Sequence, residues 1–200
     1  MDDGRAQDHY FETPTGPERR RDVTVSAWGA ELTLHSADGV FSHERLDKAT
    51  AILLGAVDPP TTGTVLDLGC GWGPIACAIA HHSPATTVWA TDVNERALEL
   101  TRDNAARLGV EVHVAAPDDV PADLRFDHLW SNPPIRIGKP ALHALLQRWL
   151  PRLSDGGTAY LVVGKNLGAD SLQRWLVEEG WACDRSAGAK GFRVLTVRRE

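Results

Sequence analysis

Three cysteines in 200 residues, Cys70, Cys77 and Cys183, are odd in number and unpatterned; this argues against a disulfide framework and suits a reducing cytoplasm. No apolar run approaches the roughly 18 residues that a membrane helix requires. The N-terminus, Met1-Asp2-Asp3-Gly4, has no cationic segment followed by an apolar one, so neither export nor membrane insertion is expected. The eight histidines show no metal-ligand spacing, and the adjacent His81 and His82 are poorly placed to share one ion, so no metal is expected. Internal repeats and low-complexity linkers are also missing. A chain of 200 residues favours one domain, large enough to bury about 70% of its unfolded surface without staples.

Charge is unevenly spread. The net charge is −6, yet residues 136–200 carry 11 Lys/Arg against 6 Asp/Glu, a balance of +5, and residues 1–135 carry 10 against 21, a balance of −11. A basic C-terminal third leaves a polyanionic partner open, beside the plainer alternative of a mixed surface.

Residues 1–21 are polar, contain Pro14 and Pro17 and end in Arg19-Arg20-Arg21, which reads as a flexible arm; residues 22–200 read as one domain. Val23-Thr24-Val25 and Glu31-Leu32-Thr33-Leu34, joined through Trp28-Gly29-Ala30, predict a hairpin. Ser42 can cap a helix over about 43–57, with Leu46, Ala49, Ile52 and Leu53 on one face. From residue 64 strands and helices alternate. Strands are expected at 65–68, 87–91, 110–114, 126–131, 158–163, 181–185 and 192–198. Helices are expected from Pro74 onward and over about 95–108, 140–150 and 169–178. This pattern predicts an α/β, Rossmann-like fold: a mostly parallel seven-stranded sheet with an antiparallel edge at the turn 188–191, and helices on both faces. Trp89, Trp130 and Trp149 are expected in the core, and Trp72 is a candidate to border a ligand.

In such a sheet, ligands bind beyond the carboxyl ends of the strands. The first such end is Asp67-x-Gly69-Cys70-Gly71-x-Gly73, where glycines admit unusual dihedrals and let a ligand lie on the backbone. Asp92, followed by Val93, ends the next strand 92 − 73 = 19 positions further on, where a carboxylate can accept both hydroxyl hydrogens of a ribose. Two ligand classes use this layout. A dinucleotide wants G-x-G-x-x-G, but Pro74 stands where the third glycine of that fingerprint would fall. A methionine-derived sulfonium nucleoside has no phosphate and needs glycine backbone, an acid near its ammonium and an acid on its ribose. Cys70 fits the loop as a small side chain and has no partner for nucleophilic work nearby in sequence.

Ser131-Asn132-Pro133-Pro134-Ile135 follows the fourth strand and should face the same crevice. Two prolines fix the backbone and remove two donors, leaving carbonyls to accept. The Asn132 amide oxygen and a proline carbonyl can then receive both hydrogens of an exocyclic amino group. Its nitrogen lone pair is thereby turned towards an electrophilic methyl.

"VLDLGCGWG" followed by "ATDVN" resembles the first two motifs of the class I S-adenosylmethionine methyltransferases, and the Asn-Pro-Pro turn resembles the signature of members that act on amide or base amino nitrogens. Ile135 stands where many of these carry an aromatic residue to stack on a flipped base. "SNPPIRIGK", with Gly39–Ser42, Asp47 and Lys190-Gly191, is similar to the small-domain methyltransferases related to the 16S ribosomal RNA guanine-N2 enzymes, the RsmC-like group. Two-domain members of that group carry a further degenerate copy of the fold, which has no counterpart in this sequence.

The resemblance implies that Asp67, Gly69, Cys70, Gly71, Gly73, Asp92 and Val93 hold S-adenosylmethionine, that Phe41 closes over it, and that Asp118 or Asp119 meets the adenine. Asn132, Pro133 and Pro134 would form the catalytic turn, with Asn132 also near the cofactor. Ile135, Arg136 and Lys139 would meet the substrate, the cations at phosphates, and Arg19–Arg21 could touch RNA. The implied activity is N-methylation of a guanine amino group in ribosomal RNA, free or in the small subunit. Another acceptor (adenine, a protein glutamine or a small molecule) and a non-catalytic RNA-binding or assembly protein remain alternatives.

Overall fold

The computed structural model describes residues 19–199. Strands β1 (Arg20–Ala27) and β2 (Ala30–Ala37) form the expected hairpin, antiparallel through Trp28-Gly29, whose φ angles of 47° and 82° are those of a tight primed turn. Trp28 tolerates this because its indole is held, Nε1 donating to Val57 O at 3.0 Å with the ring edge-on to Trp130. Of the expected arm, residues 1–18 lie outside the described residues. Arg20 and Arg21 belong to β1 and pair with Asp103 and Asp38 at 2.7 and 3.1 Å.

The first helix, α1 (Lys48–Ala56), starts later than expected. Its cap is Asp47, whose carboxylate accepts from Ala49 N and Thr50 N at 2.7 and 3.2 Å. Ser42 instead has φ 52° and donates to Arg45 O, so residues 38–47 run as a strap between hairpin and helix.

The main sheet contains β3 (Gly63–Leu68), β4 (Thr86–Thr91), β5 (His113–Ala115), β6 (Phe126–Ser131), β7 (Leu153–Gly164), β8 (Trp181–Ala189) and β9 (Phe192–Arg199). They lie in the order β5-β4-β3-β6-β7-β9-β8, with the first five parallel. The β8–β9 hairpin forms one end of the sheet; within it the reversed strand is β9, between β7 and the outermost β8. Helices α2 (Pro74–His82), α3 (Glu95–Leu108), α4 (Lys139–Trp149) and α5 (Ala169–Glu178) complete the fold.

Strand residues alternate between two buried clusters. Val65, Val88, Trp130 and Val162 point to the hairpin, α1, α2 and α3; Leu66, Leu129, Leu161 and Leu195 point to α4 and α5. Trp130 and Trp149 are buried as expected, whereas Trp89 is half-buried and stacks on His113. The third strand is shorter than expected because Gly109, at φ 66°, and Val110 return their N–H groups to Ala106 O and Ala105 O, closing α3. β7 is longer because Phe126 pairs with Leu153 before a register shift, which draws Asp155-Gly156-Gly157 into the strand.

A single buried amide docks the hairpin. Asn104, on α3, accepts from His35 N at 2.7 Å and donates to His35 O and Trp72 O at 2.8 and 2.9 Å. Truncating it strands these backbone groups, at about 1–3 kcal/mol for a group left unpaired. Asn104→Ala should therefore destabilise the protein by about 3 kcal/mol in denaturant unfolding; a loss below about 0.5 kcal/mol, the size of an ordinary surface change, would contradict this docking role.

Candidate active site

The strand order reverses at β3, with β4 on one side and β6 on the other, and a crevice opens at their carboxyl ends. Gly69 N and Cys70 N both donate to Thr91 O, at 2.9 and 3.0 Å, pinning the glycine loop to the end of β4. Gly69, Gly71 and Gly73 all have positive φ, at 75°, 56° and 84°. Their surroundings differ. A Cβ on Gly69 or Gly71 would enter open space, whereas one on Gly73 would lie 2.8 Å from the Thr101 side chain. The first two thus form the floor of a cavity and the third permits close packing on α3.

That cavity, of about 360 Å³, is of the size of small-molecule sites. Gly69, Cys70, Gly71, Asp92 and Val93 line one side; Asn132 to Arg136 line the other, and Phe41, half exposed, stands at the mouth. Asp67 and Gly73 lie behind the loop rather than on the cavity wall. Asp118 is turned away to pair with Arg148 at 2.8 Å, and its neighbour Pro117 lines the cavity in its place. Lys139 faces an adjoining notch and donates to Ser171 Oγ at 3.1 Å. Pro117, Leu145, Trp149, Leu167 and Phe192 add an apolar wall that sequence reasoning missed, and Trp72, on the loop, also contributes. The missed wall carries no motif, because its residues follow the same apolar spacing as the rest of the core.

Both acids at the strand ends are unusual. Asp67 is fully buried; its Oδ2 accepts from Ala76 N at 2.9 Å, and its Oδ1 has no partner among the described residues. Burial pushes its pKa up to about 7 against the help of the Ala76 N–H, and the nearby Asp92 adds to the rise. Asp92 accepts from Gly71 N at Oδ2 and from Asn94 N at Oδ1, at 2.9 and 3.0 Å, and a carboxylate with about four acceptor positions keeps capacity for a ligand. Burial raises its pKa too, opposed by the N–H groups of Asn94, Gly71 and Val93. Two half-discouraged carboxylates beside a glycine floor suit a cationic ligand bearing hydroxyls. Burial also lifts the Cys70 thiol well above its ordinary value, which keeps it protonated and unsuited to nucleophilic work.

The strap is fastened over this floor: Asn94 Nδ2 donates to Gly39 O at 2.9 Å and Arg96 Nη1 to Asp38 O at 2.8 Å, which sets Phe41 at the rim. Across the cavity, Ser131 Oγ donates to Leu68 O at 2.7 Å and ties the end of β6 to that of β3. Asn132 Nδ2 donates to Asp47 Oδ2 and Thr50 Oγ1 at 2.9 and 3.1 Å. The proline carbonyls are less free than expected. Pro133 O accepts from Ile135 N at 2.8 Å around Pro134, whose φ and ψ of −73° and 73° make an inverse γ-turn, and Pro134 O accepts from Ile137 N at 3.2 Å. Each keeps one lone pair.

A doubly wound sheet with a glycine floor, a strand-end acid and an Asn-Pro-Pro turn in one crevice is the arrangement that the resemblance to class I methyltransferases implied. Residues 31–196 match the methyltransferase small domain family. An uncharacterized protein of Bacillus subtilis, YbxB, is 32% identical over 199 residues, covering 97% of this chain and 99% of its own length. The ribosomal RNA small subunit methyltransferase C of Salmonella paratyphi B is 35% identical over 156 residues, covering 72% of this chain but 45% of that protein. The fold matches the Thermus thermophilus 16S rRNA N2 G1207 methyltransferase RsmC, solved with AdoMet and guanosine, with a TM-score of 0.78 at 24% identity, over 94% of this chain and 52% of that one. The chain spans about half the length of these two RsmC relatives. It belongs to the methyltransferase small domain family.

The buried acid has a pH signature. Asp67 titrates near 3.8 when unfolded and near 7 in the folded, ligand-free protein. Its penalty is absent below the lower value, grows as pH rises between the two and is complete above the upper. Asp67→Asn keeps the acceptor for Ala76 N and removes the charge. The variant should match the wild type near pH 4 and be more stable by on the order of 4 kcal/mol well above pH 7. A stability difference that does not change with pH in denaturant unfolding would refute the assignment.

Proposed function

We propose that this chain transfers a methyl group to the N2 amino nitrogen of a guanine in ribosomal RNA. The observation that carries the proposal is the opposition, across one cavity, of the Gly69–Gly71 floor and the Asn132 turn, held together by the Ser131–Leu68 hydrogen bond. In this reading Gly69, Gly71 and Asp92 hold the S-adenosylmethionine, Asp67 adds negative charge beneath the loop, and Phe41 covers the site. When bound, that cofactor supplies a methyl group on an electrophilic sulfonium and leaves as the neutral thioether S-adenosylhomocysteine.

The chain's own part is placement. Asn132 Oδ1 and the remaining lone pair of Pro133 O accept the two amino hydrogens, which draws the nitrogen lone pair out of conjugation with the ring. The nitrogen sheds a proton only once it has been methylated, so no strong base is needed. Ile135, half-buried on the wall, offers the base an apolar contact in place of an aromatic stack.

Ribosomal RNA is supported by the Salmonella relative's activity and by charge. Arg136 lines the cavity; Lys139, Lys165 and Lys190 leave the same end of the sheet, from the start of α4, the end of β7 and the β8–β9 turn. None of the four has an acidic partner among the described residues, whereas Arg148, Arg185, Arg193 and Arg198 are paired with acids. Unpaired cations around an acceptor site suit phosphates.

Two results are expected. Asn132→Ala should abolish methyl transfer while S-adenosylhomocysteine affinity stays within a few-fold, and N2-methylguanosine should disappear from one position of ribosomal RNA when the gene is deleted, read by nucleoside mass spectrometry. A fully active variant, or an unchanged nucleoside profile, would sink this reading. Replacing both Lys165 and Lys190 by alanine should lower the slope of log affinity for single-stranded RNA against log salt by about 1.4, from roughly 0.7 per phosphate contact. An unchanged slope would remove these lysines from the RNA surface.

A further inference from the structure

The orientation of the Asn132 amide is decided by residues outside the Rossmann core. Both hydrogens of its Nδ2 are engaged, one by Asp47 Oδ2 at 2.9 Å and one by Thr50 Oγ1 at 3.1 Å. Asp47 Oδ2 already receives Ala49 N and Thr50 N, so the group facing Asn132 is an acceptor committed to N–H donors. A flipped amide would press its carbonyl against that carboxylate, and only one of the two orientations satisfies the pair. Asn132 Oδ1 has no donor among the described residues, and Asn132, Asp47 and Thr50 all line the cavity.

We infer that Asp47 and Thr50, at the start of α1, are positioning residues that lock Asn132 with its oxygen towards the acceptor and so select substrates that present hydrogens there. The inference rests on the function proposed above. An amino group meets two acceptors, Asn132 Oδ1 and Pro133 O. A carbonyl in the same place, such as the 2-oxo group of xanthine, meets two acceptors with nothing to offer them, and such mismatched polar groups are strongly rejected. The N-cap of α1 thus serves a second purpose: the carboxylate that starts the helix also sets the polarity of the site.

Thr50→Val keeps the shape of a buried residue and removes the acceptor; Asp47→Asn keeps a capping side chain and makes the amide pair reversible. The first readout is the exchange rate of the Asn132 side-chain amide protons by NMR in the ligand-free protein. Both should exchange slowly in the wild type, and at least one about ten-fold faster in either variant. The second is kinetic: kcat on guanine-containing RNA should fall on the order of 10- to 100-fold, while KM for RNA and affinity for S-adenosylhomocysteine stay within about two-fold, and Thr50→Ser should restore both readouts. Rapid exchange of both protons in the wild type, or an unchanged kcat in Thr50→Val, would overturn the inference. So would a thermal midpoint and cofactor affinity that fall in step with kcat, since a merely structural role moves all three. A wild type that methylates no acceptor would defeat the proposed function instead, leaving the exchange rates to judge the lock by themselves.

Discussion

Strand-end carbonyls, which a parallel sheet leaves without partners, hold this site together. Thr91 O takes Gly69 N and Cys70 N, and Leu68 O takes Ser131 Oγ. A buried backbone carbonyl must find a donor. Here those donors come from the glycine loop and from the residue before the Asn-Pro-Pro turn, so satisfying the end of the sheet also fixes the spacing between the two halves of the site. Asp92 and Asn94 extend the same logic outward, to Gly71 and to the strap at Gly39. Each link is one short hydrogen bond between segments far apart in sequence, and together they make the cavity a property of the end of the sheet.

Against this rigid frame stands one deliberate imperfection. Asp67 is wholly buried with one oxygen unpartnered, and a second carboxylate, Asp92, lies close by. Burying a charge without full compensation costs stability. Such groups gather where a ligand supplies what the fold withholds, and a cation bound above the glycine floor would bring both acids back towards their charged forms. The segment before the first core strand contributes more than cover. It brings Phe41 to the rim through Asn94 and Arg96, and it brings Asp47 and Thr50 to the Asn132 amide.

Much of this was legible in the sequence wherever the signal is local. The limits of α3 follow from Asn94 and Gly109, a cap and a left-handed stop that act within a turn of themselves. The glycine loop, Asp92 and the Asn-Pro-Pro turn were recognisable for the same reason, since their chemistry depends on spacing along the chain. What failed was decided over distance. Ser42 was the expected cap of the first helix, whereas Asp47 caps it and also takes the bond from Asn132, 85 positions away. Asp118 follows a strand of only three residues, and the chain turns out towards Arg148 before the carboxylate can face the cavity. Pro133 could be seen to lack a donor, but the γ-turn that occupies half of its carbonyl depends on the backbone of Pro134. The apolar wall of Leu145, Trp149 and Phe192 had no signature of its own.

The most direct test of the central claim, that a methyl donor and an amino acceptor are brought face to face between the ends of β3 and β6, is a crystal structure with S-adenosylhomocysteine bound. The expected result is a ligand whose ribose hydroxyls meet Asp92, whose amino-acid part lies on Gly69 and Gly71, and whose sulfur faces the Asn132 amide. A ligand seated elsewhere, or one whose sulfur points away from Asn132, would contradict it.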